Sequence, residues 1–277
     1  MVRQARARGA IAAITLLFGI AGVLSAAPDA DLWPRWEEHD PGSTRRVDHS
    51  RWGAFLEEYL VADHPSGVNR VPYDEVSGAD VAELDAYVSD LQDVSVSELD
   101  RDEQFAYWVN LYNAYTVKLV LDHYPVDSIR DIDLSGLFTR GPWDKGLIEV
   151  EGETLSLNDI EHRILRPIWK DPRIHYVVNC ASIGCPNLLP EPLTADSLEA
   201  QLDRAARGYV NHDRGAEVDG RTLYLSSIYD WYEEDFDGNV DGVVDHLLQY
   251  AEPRRAADLR GHDGRVRYRY DWTLNEP

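Results

Sequence analysis

"RDEQFAYWVNLYNAYTVKLVLDHYP", residues 101 to 125, is the stretch on which the fold turns. Phe105, Trp108, Val109, Leu111, Tyr112, Tyr115, Val117, Leu119 and Val120 cover nearly the whole circumference of a helix, and a helix apolar all round belongs inside a core. Ser97 and Asp100 stand ahead of it as a capping-box-like start, and Pro125 ends it. The stretch therefore predicts a long central helix that the rest of the chain must cover.

On its N-terminal side, Trp52, Phe55, Leu56, Tyr59 and Leu60 recur at helical spacing and predict an amphipathic helix over 51–62. Val81, Leu84, Val88 and Leu91 predict a second over about 79–91, and the loop "HPSGVNRVPYDEV" separates the two. On its C-terminal side, "LIEVEGETLS" reads as a hairpin turning at Glu151-Gly152, and Ser156 with Asp159 caps a helix "LNDIEHRILR". In "RIHYVVN", Ile174, Tyr176 and Val178 alternate with His175, Val177 and Asn179, which predicts a strand. Thr194 is placed to cap a helix reaching about Tyr209, and "AEVDGRTLYL" reads as a hairpin with Asp219-Gly220 at its turn. Helical stretches start at Tyr229 and Val240, the latter running to Tyr250, and "RVRYRYDW" predicts a closing strand. The expected class is α+β: a helical N-terminal half, with the buried central helix packed on a small, mostly antiparallel sheet.

The first 27 residues have the layout of a secretory signal peptide: Arg3, Arg6 and Arg8, then an apolar run from Ile11 to Leu24, then small residues at the end. That run is shorter than the roughly 20 residues a spanning helix needs, although an uncleaved anchor is the alternative. A periplasmic or extracellular location is therefore expected. Residues 28–78 read as a lead-in with one helix and 79–274 as a single domain, since neither linker nor repeat divides them. The whole chain carries a formal charge of −23; the leader holds three arginines and no acid, so residues 28–277 stand at −26. Such a surface repels nucleic acid and, once the leader is removed, anionic membrane. Lys118, Lys145 and Lys170 are its only lysines, a composition that suits a high-salt, halophilic envelope as well as an acidic protein encoded by a GC-rich genome.

Both cysteines, Cys180 and Cys185, fall in one six-residue window, and they admit three readings. A disulfide is sterically possible, yet closing so short a loop adds only about 2 kcal/mol. A thiolate nucleophile would need a base, which His162 or His175 could supply, and a local donor such as the backbone N–H groups of a helical turn opening at Pro186. Zinc held by Cys180, Cys185, His162 and His175 is the third, although C-x4-C is loose and the histidines lack close spacing, so no metal or other cofactor is expected. Asn110 and Asn113 share a face of the central helix, where buried amides need partners; they either tie loop backbone to the core or orient a histidine or an oxyanion. Glu161 and His162 are adjacent and diverge by roughly 100° around a helix, so they need not pair with each other. "DGNVDGVVDHLL" matches a calcium loop at Asp237, Asn239, Asp241 and Gly242 but ends on Leu248, so chance explains it.

"FAYWVNLYNAYTVKLVLDHYP", "SLNDIEHRILR", "DPRIHYVVNCASIGCPNL", "IYDWYEEDF" and "YDWTLN" together resemble the family known as domain of unknown function 547, over roughly residues 79 to 274. Its characteristic positions fall on Asn110, Asn113, Glu161, His162, His175, Asn179, Cys180, Cys185 and Pro186, and the resemblance implies that these residues meet in one place. A Cys-His-Asn or Cys-His-Glu grouping is similar in kind to papain-like and transglutaminase-like thiol enzymes, by analogy alone. The leading expectation is a thiol hydrolase or acyltransferase acting on a peptide or amide. Cys180 would attack, His162 or His175 would act as base, and Asn110 and Asn113 would steady the oxyanion. The alternatives are a binding module with a Cys180–Cys185 disulfide and a groove among Tyr229, Trp231, Tyr232, Tyr268 and Trp272, or a thiol redox protein. The expected partner is a peptide or small-molecule substrate.

Overall fold

Ringed by other elements, the long helix expected from the sequence sits at the centre of the molecule. The computed structural model describes residues 28–134 and 141–277; the leader expected at residues 1–27 lies outside them. Two helices lead in, α1 (Ser50–Tyr59) and α2 (Gly78–Gln92), and α3 (Arg101–His123) comes next. Every residue of α3 from Glu103 to Val117 is buried, as its all-round apolar pattern demands. Its cap is narrower than the expected box: the Asp100 side chain accepts from the Glu103 N–H, while Ser97 turns away to donate to Glu151.

The hairpin β1 (Ile148–Val150) and β2 (Glu153–Leu155) turns at Glu151 and Gly152, which take φ of 48° and 80°. Two successive positive φ values match the right-handed twist of the strands, and glycine relieves the second at no steric cost. Ser156 and Asp159 then exchange reciprocal hydrogen bonds of 2.8 and 3.1 Å, as their spacing predicted. The helix they open is wound as a π-helix over Asp159–Leu165 and tightens into α4 (Arg166–Trp169).

"RIHYVVN" departs from expectation. Pro172–Tyr176 forms a 3-10 helix, started by Pro172 and by the Asp171 side chain accepting from the Arg173 N–H. Its alternation carries no facial information, because residues 174 to 179 are all buried, whichever set they belong to. The two cysteines therefore come after a 3-10 turn rather than a strand, and no helix opens at Pro186.

Helices continue through the C-terminal half as α5 (Leu198–Val210), α6 (Ile228–Trp231), α7 (Val240–Tyr250) and α8 (Pro253–Arg260). A second sheet has the order β3 (Ala216–Asp219), β4 (Thr222–Ser226), β5 (Arg265–Arg269). The β3–β4 hairpin turns at Gly220-Arg221, one residue later than expected, in the register Asp219↔Thr222. β5 pairs with β4 in parallel, and the chain then runs back across the cysteine loop. Among the described residues, no helix is long and apolar enough to cross a membrane.

Candidate functional site

Two asparagines build the cysteine loop, and a third holds the segment that follows it. Asn113 on α3 donates to the Val177 carbonyl at 2.8 Å and accepts from the Asn179 N–H at 2.8 Å. Asn179 in turn donates to the Pro186 carbonyl at 2.7 Å and accepts from the Ala181 N–H at 2.8 Å, holding Ala181 at a left-handed φ of 55°. Asn110 pairs with the backbone of Leu193 in both directions, at 2.9 and 3.0 Å. All three amides thus spend these bonds on loop backbone.

The other side of the loop is zipped to the C-terminal tail. The Ile183 N–H donates to the Thr273 carbonyl, that of Gly184 to Asp271, and that of Asn275 to Ala181, at 2.8 to 3.1 Å. Position 184 accepts only glycine, since a Cβ there would lie 2.8 Å from the Asp271 nitrogen. The zipper delivers Tyr270 to the thiols.

Cys180 and Cys185 are free thiols whose sulfurs lie 3.1 Å apart, too long for a bond between them. Cys180 is half-buried and Cys185 buried. The Cys180 N–H donates to Cys185 Sγ at 3.0 Å. Around Cys180 Sγ stand the Tyr270 hydroxyl at 3.0 Å and the Ser182 hydroxyl at 3.2 Å, and these two hydroxyls lie 3.1 Å apart. Burial pushes the Cys180 thiol up, but hydrogen bonds from Cys185, Ser182 and Tyr270 more than offset it and hold it below the ordinary thiol range. Burial and its neighbour Cys180 push Cys185 the other way, well above that range. The cysteine that is less enclosed is thus the one with the more acidic thiol, and the enclosed one holds its proton.

The histidines belong to a neighbouring cluster. His175 Nε2 bonds Asp235 Oδ2 at 2.6 Å, its Nδ1 lies 3.8 Å from Glu161, and its ring stacks on Tyr232 at 4.2 Å. The Arg166 guanidinium, itself buried, donates to the same Asp235 oxygen at 2.6 Å, to Glu234 at 2.7 Å and to His162 Nδ1 at 3.2 Å. Burial raises the Asp235 carboxyl, yet its bonds from His175 and Arg166 bring it down to about 2. Burial also holds His162 below the usual imidazole range. Tyr112 on α3 donates to Glu161 Oε2 at 3.0 Å, so the carboxylate of the π-helix is fixed from the core. Among the described residues Glu161 and His162 take different hydrogen-bond partners, Tyr112 and Arg166.

The residues expected to meet form two groups: the asparagine-held thiols, and the Glu161–His175–Asp235–Arg166 cluster with His162. Tyr232 stands within electrostatic reach of both, because burial, then Glu161 and the two cysteines, raise its hydroxyl. Among the described residues, no hydrogen bond joins either histidine to either sulfur, and Cys180, Cys185, His162 and His175 do not gather as a metal-holding group. Sequence reasoning missed Ser182, Tyr270, Tyr112, Arg166 and Asp235 as site residues. Asp235 and Tyr270 nonetheless lie within the motifs "IYDWYEEDF" and "YDWTLN".

Helix and sheet are mixed in this chain around a partly buried, asparagine-braced dithiol. The model of the family described as "Protein of unknown function, DUF547" matches residues 96–210 of this chain. The match includes both cysteines, both histidines, Glu161 and the three asparagines, while Asp235 and Tyr270 lie beyond it. No curated protein and no solved structure matches the chain.

Proposed function

We propose that the protein is a thiol–disulfide exchange protein, with Cys180 as attacking and Cys185 as resolving thiol. One observation carries this reading: two sulfurs 3.1 Å apart differ in exposure and acidity in the sense the reaction requires. The Cys180 thiolate attacks one sulfur of a substrate disulfide, forming a mixed disulfide and expelling the other half as a thiolate. Cys185 then loses its proton and attacks Cys180 Sγ, closing the Cys180–Cys185 bond and releasing the second half, which takes up that proton. The two electrons pass to the substrate, whose halves leave as one thiolate and one thiol. Export behind the leader, also proposed, would place the pair where disulfides occur.

A cysteine hydrolase or acyltransferase on a peptide or amide shares the first attack. It is favoured by the Ser182 and Tyr270 hydroxyls, which are placed to pass a proton to a leaving amine. It ranks second because neither histidine bonds a sulfur among the described residues.

The test is thione release from the neutral reagent dithiodipyridine by the reduced protein. Two equivalents are expected from the unaltered chain, one from Cys185→Ser, and none in the fast phase from Cys180→Ser. A single equivalent from the unaltered protein, with the mixed disulfide persisting, would overturn the exchange reading.

A further inference from the structure

The tail that brings Tyr270 to Cys180 also brings a group of rings. Tyr270 lies 4.8 Å from Trp231 and 4.7 Å from Trp272, and the two tryptophans are 5.6 Å apart. Trp143 stands edge-on to Trp272 at 5.8 Å, and the Arg130 guanidinium lies over Trp272 at 5.0 Å. All four rings are half-buried. The aromatic residues of the core nearby, such as Tyr176, Tyr209, Tyr229 and Phe236, are by contrast enclosed almost completely. Neither Trp231 nor Trp272 spends its indole N–H on a hydrogen bond among the described residues. Such a surface offers apolar area with little conformational entropy to lose, together with donors for carbonyl groups. It is continuous with the reactive sulfur through one residue, Tyr270.

Charge narrows what can lie on it. Asp230 and Asp271, sequence neighbours of Trp231 and Trp272, are exposed, and the chain as a whole has 50 acidic against 27 basic residues. A small anionic disulfide approaches against this field, whereas a cationic one is drawn in.

We propose that Trp231, Tyr270 and Trp272 form the docking surface for the substrate of Cys180, and that this substrate is an extended polypeptide with apolar and basic residues flanking its disulfide. The proposal rests on the exchange reading. Apolar side chains lie against the rings, backbone carbonyls accept from the indoles, and basic side chains meet the acidic rim.

Calorimetry with Cys180→Ser protein tests the docking apart from the chemistry. Two synthetic peptides carry serine in place of cysteine, one flanked by leucine, tryptophan and arginine, the other by glycine and aspartate. The first is expected to bind at least about tenfold more tightly, an advantage that added Trp231→Ala or Trp272→Ala removes. Equal affinity for the two peptides overturns the proposal without recourse to any ring variant, and so does an advantage that survives both ring substitutions. Thione release from the unaltered protein reports on the exchange itself, so failure of the chemistry and failure of the docking are read separately.

Discussion

Tyr270 is separated from Cys180 by 90 residues of chain, yet its hydroxyl sits 3.0 Å from the sulfur. A hydrogen bond to a charged group contributes about 1.5 to 3 kcal/mol, which corresponds to one to two pH units of thiol acidity. Tyr270→Phe should therefore raise the pH midpoint of Cys180 alkylation by about one unit while leaving the fold intact. An unmoved midpoint would place the source of acidity elsewhere. Asn113 acts differently, since its loss strands the Val177 carbonyl and the Asn179 N–H without partners in the core. Asn113→Ala should cost about 2 to 4 kcal/mol in denaturant unfolding and accelerate exchange of the loop amides. At this scale the sequence was informative about residue types. Two thiols in one window and two amides on a buried helix stand out against composition, whereas Tyr270 reads as one more alternating aromatic in a strand until the tail is seen to cross the loop.

Among the elements, the central helix was legible because an all-round apolar pattern has one physical outcome. The segment 172–176 was not, because a period of two reports a sheet face only when one face meets water, and here both are buried. The π winding of 159–165 is likewise invisible in residue types, which carry the same apolar pattern for either winding. The zipper between loop and tail supplies the prediction at this scale. Gly184→Ala would drive a Cβ to 2.8 Å from the Asp271 nitrogen, so the tail must lift from the loop. A stability loss of about 1 to 3 kcal/mol is expected, together with a rise in the alkylation midpoint of Cys180 as Tyr270 withdraws. Loss of stability with unchanged thiol acidity would show that the tail does not set the chemistry.

For the molecule as a whole, two histidines outside the site make stability depend on pH. His49, bonded to the Tyr87 hydroxyl at 2.6 Å, and His246, bonded to that of Tyr176 at 3.0 Å, are both lowered by burial from 6.5 to about 4. The unfolded chain thus binds protons over that interval that the folded chain does not, so stability is full above pH about 6.5 and falls as pH drops toward 4. Each histidine contributes up to about 3 kcal/mol to that loss. His246→Phe, read by chemical denaturation, should flatten the slope between these two values; an unchanged slope would remove His246 from the account. Net charge acts on the same scale. With self-repulsion unscreened in dilute buffer, the melting temperature should rise between about 0.05 and 1 M sodium chloride, and a flat profile would show the acidic surface to be energetically neutral.

The strap formed by residues 271 to 275 fastens the cysteine loop from the far end of the described chain. A nascent chain that has been extended only to residue 260 holds both cysteines and most of the core, but lacks the hydroxyl that sharpens Cys180. Chemical readiness thus waits until residue 270 and the strap behind it have been made. Until then the growing polypeptide carries its thiol without that hydrogen bond, so the order of synthesis and the acidity of the sulfur are tied together.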